Sequence, residues 1–193
     1  AILYLRFMMT QTNLRKPAVA GRFYPSSAKD IKKMVSSFAD KTVQKNDVYG
    51  CILPHAGYIY SGNVAVQTVS RVNIKDTVIL LGPNHTGYGK NISVMAEGFW
   101  QTPLGSIKID SGLAREILQG CRYLEDDNIA HESEHSLEVE LPILQYFKSD
   151  FQIVPIAFMS DQIEPLKEIG RQIAGVLTGL KIKERVMLIA SSD

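Results

Sequence analysis

Thr77-Val78-Ile79-Leu80-Leu81-Gly82-Pro83-Asn84-His85 carries the reading of the fold. A strand with one wet face alternates apolar and polar residues. A continuous apolar run rich in β-branched residues is instead the pattern of a strand covered on both faces, as in a parallel sheet. Gly82-Pro83-Asn84 ends the run with turn chemistry, and a histidine follows at once.

Outward from that strand the pattern repeats. Upstream, 48–53 is a second short apolar run, ending in Pro54-His55, and Ser61 is placed to cap a helix bearing Val64, Ala65, Val69 and Val72. Earlier still, Ser27 opens a helix over about 28–40, with Ile31, Met34, Val35 and Phe38 on one face. Downstream, strands are expected at 91–96 and 107–109, with a turn at Thr102-Pro103-Leu104-Gly105 between them. Asp110 or Ser111 caps a helix through Leu118, and Glu125 to Asn128 reads as a polar loop. A helix is expected over 134–147, kinked or broken at Pro142. Strands at 151–158 and 185–190 flank a helix carrying Ile163, Leu166, Ile169, Ile173, Val176 and Leu177. Buried strands alternating with amphipathic helices define an α/β domain with helices on both faces of a mostly parallel sheet.

Composition narrows the function. The chain has 193 residues, 45% hydrophobic and 21% charged, the make-up of one globular domain. Lys and Arg total 21 against 20 acidic residues, a net charge of +1, so there is no broad field to hold a nucleic acid. No apolar run approaches the roughly 20 residues that span a bilayer, so no membrane partner is expected. Two cysteines, Cys51 and Cys121, make neither a disulfide framework nor a metal knuckle and suit a reducing, cytoplasmic setting. The apolar start at 1–9 has the look of a signal peptide, but Arg6 interrupts it and Thr10-Gln11-Thr12-Asn13 separates it from Ala18-Val19-Ala20. Residues 1–15 are therefore read as an extension, disordered or foreign to the domain, and 16–193 as a single domain.

Four histidines are present, and two of them, His55 and His85, lie just past the ends of expected central strands. In open α/β sheets the carboxyl edge is where ligands bind. The 185–190 strand brings Asp193 to that edge, while His131 and His135 follow the polar loop. Neutral imidazoles from separate strand ends, with a carboxylate nearby, suit a divalent transition ion with an open position. Zinc, copper and iron are all compatible with such donors. His131-Glu132-Ser133-Glu134-His135 also spells the inverted zinc-peptidase pattern, which requires both imidazoles on one helical turn. Ser133 as an N-cap would break that geometry.

Tyr58 and Tyr60 stand where they can line a pocket beside His55 or simply pack, and Tyr58 with His131 is expected on the substrate side. Cys51 reads as a small buried hydrophobe, and Glu138 and Glu140 as a solvated helix face. Gly57 and Gly62 lack a longer glycine pattern or a P-loop lysine, so no nucleotide cofactor is expected.

Pro54-His55-Ala56-Gly57-Tyr58, Gly82-Pro83-Asn84-His85, Thr102-Pro103-Leu104, Glu134-His135-Ser136-Leu137-Glu138 and Ser191-Ser192-Asp193, in that order, resemble the Memo family. Ala20-Gly21-Arg22-Phe23-Tyr24-Pro25 resembles its opening, and the likeness runs from about Lys16 to the last residue. The resemblance implies a three-layer α/β/α sandwich related to extradiol-type (LigB-like) non-haem iron dioxygenases. It implies a metal-binding-type pocket with His55 and His85 as ligands to Fe(II) or a similar ion, His135 as an acid/base partner and Asp193 as a pocket aspartate. Family members continue past the Ser-Ser-Asp motif to another pocket histidine and a third metal-type ligand, so on this likeness the domain lacks the family's C-terminal part. Animal relatives are associated with motility signalling through phosphotyrosine proteins, and prokaryotic ones with a radical-SAM protein.

Two functions stay open on these residues. One is a metal-dependent oxidoreductase of dioxygenase type; the other is a binding protein that reuses the pocket for a small molecule or (phospho)peptide without turnover.

Overall fold

The Thr77–Pro83 strand lies between two parallel neighbours, as its apolar run requires. The computed structural model describes residues 13–193. Its elements begin with β1 (Leu14–Arg15), α1 (Ala28–Phe38), β2 (Gly50–Leu53), α2 (Tyr58–Ser70) and β3 (Thr77–Pro83). Then come β4 (Ile92–Val94), β5 (Phe99–Thr102), β6 (Gly105–Ile109), α3 (Ser111–Gly120), β7 (Glu125–Asp126) and α4 (Ile129–Glu132). The chain ends with α5 (Glu140–Phe147), β8 (Gln152–Phe158), α6 (Ile163–Gly179) and β9 (Val186–Ser191). The expected signal-like run at 1–9 lies outside the described residues.

The sheet order is β1-β5-β6-β8-β3-β9-β2, with β4 paired to β8 and β7 to β4. From β6 to β2 every neighbour on that path is parallel. Antiparallel pairing is confined to β5 with β6 and β4 with β8. Helices α1, α2 and α5 pack on one another, and α3 packs on α6. The result is the α/β sandwich that the alternating pattern predicts.

Burial follows the apolar runs. Val78, Ile79 and Leu80 of β3, and Ile153, Val154 and Ile156 of β8, are fully buried. Each such side chain contributes roughly 1.5–3 kcal/mol relative to exposure, so the central strands hold the two helical layers together. Helix α1 starts where its sequence says: Ser27 Oγ accepts from the Asp30 N–H and donates to the Asp30 carboxylate, and Ile31 and Val35 face inward.

Several boundaries differ from expectation, each for a stated reason. Helix α2 begins at Tyr58, a turn before Ser61, whose hydroxyl donates to the Ala56 carbonyl at 3.0 Å instead of capping. The helix expected over 134–147 starts only at Glu140, which leaves Pro142 in its first turn. There the N–H that proline lacks would have had no intrahelical partner, so no kink results. Strand β5, not anticipated, pairs with β6 across the Pro103-Leu104 turn, and the expected loop contains β7. Leu14 and Arg15, assigned to an extension, pair with β5 instead.

Glu138 and Glu140 are not a solvated face; both are fully buried. Because the helix starts late, residues 136–139 form turns tucked beneath the N-terminal segment. The Glu138 carboxylate accepts from the Arg15 guanidinium, from the Ala18 and Val19 N–H groups at 2.8 and 3.1 Å, and from the Tyr24 hydroxyl at 2.5 Å. Arg15 also donates to the carbonyls of His131 and Glu134, at 2.9 and 2.6 Å, and lies over the Trp100 ring. A buried charge needs this degree of pairing to be tolerated.

Among the described residues no helix is long and apolar enough to cross a membrane.

Candidate metal centre

Parallel strands deliver their carboxyl ends to one edge, and β2, β9 and β3 are consecutive neighbours. His55 follows β2, His85 follows β3 and Asp193 follows β9, so all three reach the same edge. His135 joins them from the turns between α4 and α5. That approach depends on Gly82: a Cβ there would stand 2.7 Å from Leu137 Cδ2 and 3.1 Å from Ser136 Oγ. Ser136 Oγ then donates to the Pro83 carbonyl at 2.6 Å, pinning the turn to the end of β3.

One ligand atom from each of His55, His85 and His135 lies within 4.8 Å of the others. The ring centroids are 5.2 Å apart for His55–His85, 5.7 Å for His55–His135 and 4.7 Å for His85–His135. Phe23 closes against His135 at 4.5 Å. His55 is buried, whereas the His85 side chain is nearly half exposed, so the cluster opens outward past His85.

What the three rings do with their other nitrogen decides what they present. Glu134, 1% exposed, accepts from His85 Nδ1 at 2.9 Å and from the His85 N–H, and its Oε1 is 3.2 Å from His135 Nδ1. The same carboxylate accepts from the His135 and Ser136 N–H groups, each at 2.8 Å. His55 Nδ1 is 2.9 Å from Ser191 Oγ. The Glu134 carboxylate can only accept, so with Nδ1 as the donor a neutral His85 or His135 ring carries its lone pair on Nε2, while the Ser191 hydroxyl beside His55 can donate or accept. Tying the distal nitrogen to a carboxylate or hydroxyl is how proteins orient metal-binding histidines.

Electrostatics agree. Burial alone would raise the Glu134 carboxyl, but hydrogen bonds from His135, His85 and the Ser136 N–H hold it far below the usual carboxylate range, so it stays ionised. Burial pushes the His55 imidazole below its ordinary value, and His85 and His135 add to this while Asp193 opposes it. His55 is therefore neutral at neutral pH, the form that binds a cation. Asp193 accepts from the His55 and Ala56 N–H groups at 2.8 and 3.1 Å, and its other oxygen is 3.6 Å from His55 Nε2. Its side chain is half exposed, at the rim of the cluster.

Two expected site residues go elsewhere. Tyr58 turns into the core, where its hydroxyl donates to the Val139 carbonyl at 2.7 Å. His131, on α4, is fully buried edge-on to Trp100, and neither ring nitrogen makes a well-formed hydrogen bond. Because α4 ends at Glu132, His131 and His135 share no helical face, which removes the peptidase pattern. The residues that sequence reasoning passed over are Glu134 and Ser191, each read only as a letter of a motif. Their role needs the fold to be seen.

In donor type and number, three imidazoles backed by acceptors fit a divalent transition ion. The comparisons agree with this fold. The family model described as Memo-like protein matches residues 15–193. A MEMO1 family protein of Nitrosopumilus maritimus is 38% identical over 190 residues, covering 93% of this chain and 68% of that protein. One from Methanosarcina barkeri is 43% identical over 182 residues, covering 93% and 67%, and one from Aquifex aeolicus is 41% identical over 182, covering 93% and 66%. The chain belongs to the Memo-like family, and it spans about two thirds of the length of these relatives.

Proposed function

We propose that this chain provides the metal-holding part of a non-haem, metal-dependent oxidoreductase of dioxygenase type, acting on a small-molecule or peptide ligand in a cytoplasmic setting. The observation that carries the reading is the convergence of His55, His85 and His135, one ligand atom of each within 4.8 Å of the others, with a hydroxyl or carboxylate beside each Nδ1. A bound iron, copper or zinc ion would supply Lewis-acid chemistry, and with iron or copper one-electron chemistry, at the exposed side of the cluster. The chain's own residues do the rest. Glu134 keeps His85 and His135 in register and places negative charge behind them. His135, implied by resemblance to be an acid/base partner, is held in the same manner as the other two rings and serves as a third donor. Asp193, half exposed at the rim, is the carboxylate positioned to take or return a proton of the ligand.

The test is metal content by plasma mass spectrometry on protein purified without chelators or a histidine tag. Near-stoichiometric metal that disappears in the His55→Ala, His85→Ala double variant is expected, with oxygen consumption measured next. No metal in the native protein would discard the metalloenzyme reading and leave a pocket kept for binding a ligand without turnover.

A further inference from the structure

Ser191 Oγ has three polar neighbours and one proton. His55 Nδ1 is 2.9 Å away, the Ser136 carbonyl 2.7 Å and Glu140 Oε1 3.0 Å. A hydroxyl donates once and accepts twice. The Ser136 carbonyl can only accept, so the Ser191 proton goes there. The two remaining contacts are hydrogen bonds only if His55 Nδ1–H and a protonated Glu140 both donate to Ser191 Oγ. We propose that Glu140 is a neutral carboxylic acid which, through Ser191, locks His55 in the tautomer that leaves Nε2 bare. Glu140 is thus a positioning residue, one hydroxyl removed from the candidate metal centre. The proposal rests on the metal reading for its purpose, but not for its geometry.

The surroundings of Glu140 support the neutral form. It is fully buried, and its Oε2 has no hydrogen-bond partner, a costly state for a carboxylate and a tolerable one for an acid. Among the described residues no cation offsets its charge, and the Asp193 carboxylate disfavours a second negative group there. Burial then holds its carboxyl well above the usual range. The arrangement also accounts for a glutamate in the first turn of α5 whose side chain is buried away from solvent.

The decisive measurement uses the metal-free native protein. Nitrogen-15 NMR of the imidazoles should find His55 protonated at Nδ1 and bare at Nε2, and infrared spectra at neutral pH should show a protonated-carboxyl carbonyl stretch that vanishes in Glu140→Gln. An ionised Glu140, or a proton on His55 Nε2, overturns the proposal whether or not zinc binds. Conversely, the expected tautomer with no zinc binding would discard the metal reading and leave this one standing. Among variants, Ser191→Ala should release the His55 tautomer and weaken zinc binding about 10- to 100-fold, as loss of an orienting partner does. Glu140→Gln, which can still donate to Ser191, should hold zinc within about threefold of native, and Glu140→Leu should lose about tenfold. Equal behaviour of the Gln and Leu variants would count against the positioning role.

Discussion

Glu134 holds His85 twice, through the His85 backbone N–H and, at 2.9 Å, through Nδ1. The loop after β3 and the ring it carries are therefore set by one buried carboxylate that also backs His135. Glu134→Gln should weaken zinc or iron binding about 10- to 100-fold with little loss of fold, because the amide carries no charge and puts an NH2 donor where Oε2 now accepts from the His85 N–H, although its oxygen can still face both rings. Competition titration against a chromophoric chelator reads this directly; an unchanged affinity would remove Glu134 from the centre.

His131 gives the fold an acid sensitivity of defined sign. Burial, and then the Arg15 cation, outweigh Asp127 and the Ser93 backbone and push its imidazole from 6.5 down to about 4. Above the ordinary value the ring is neutral in both folded and unfolded chains, and stability is unaffected. As pH falls from there to about 4, the unfolded chain takes up a proton that the folded one refuses, so stability drops. The loss approaches about 3 kcal/mol across that window. Urea unfolding of native protein and His131→Leu at a series of pH values should give a difference that changes through this window and is flat above it. The Glu134 contribution is lost only at lower pH, below the ordinary carboxyl value, since its carboxyl is depressed.

Arg15 and Glu138 form a buried pair across 123 positions of sequence. Glu138→Ala should cost about 3–5 kcal/mol, because it strands the guanidinium and leaves the Tyr24 hydroxyl and two backbone N–H groups without their acceptor. Replacing both partners by apolar residues, Arg15→Met with Glu138→Leu, should recover part of the loss. Denaturation midpoints for the two singles and the double would expose the coupling.

Gly82→Ala places a methyl 2.7 Å from Leu137 Cδ2 and should displace the turn that carries His135. A cost of about 1–3 kcal/mol and weaker metal retention are expected, both relieved in part by adding Leu137→Ala. Thermal unfolding and metal content would be measured on the same samples; an unperturbed single variant would show that the turn can yield.

The central sheet was legible in the chain because its strands are read locally. A run such as Thr77 to Leu81 can be buried on both faces only in a covered sheet, and parallel strands send His55, His85 and Asp193 to one edge. Helix α1 announced itself through Ser27 in the same local way. The late start of α5, the inward turn of Tyr58 and the burial of Glu138 and Glu140 were not legible. Helical spacing and charge put those carboxylates in water, and their burial depends on groups far away in sequence: Arg15 for one, Ser191 for the other. Periodicity reports which face of an element is apolar. Whether a charged residue within it is solvated, paired or neutralised depends on the partners that packing brings, and the acceptors behind the three histidines belong to that second kind of fact.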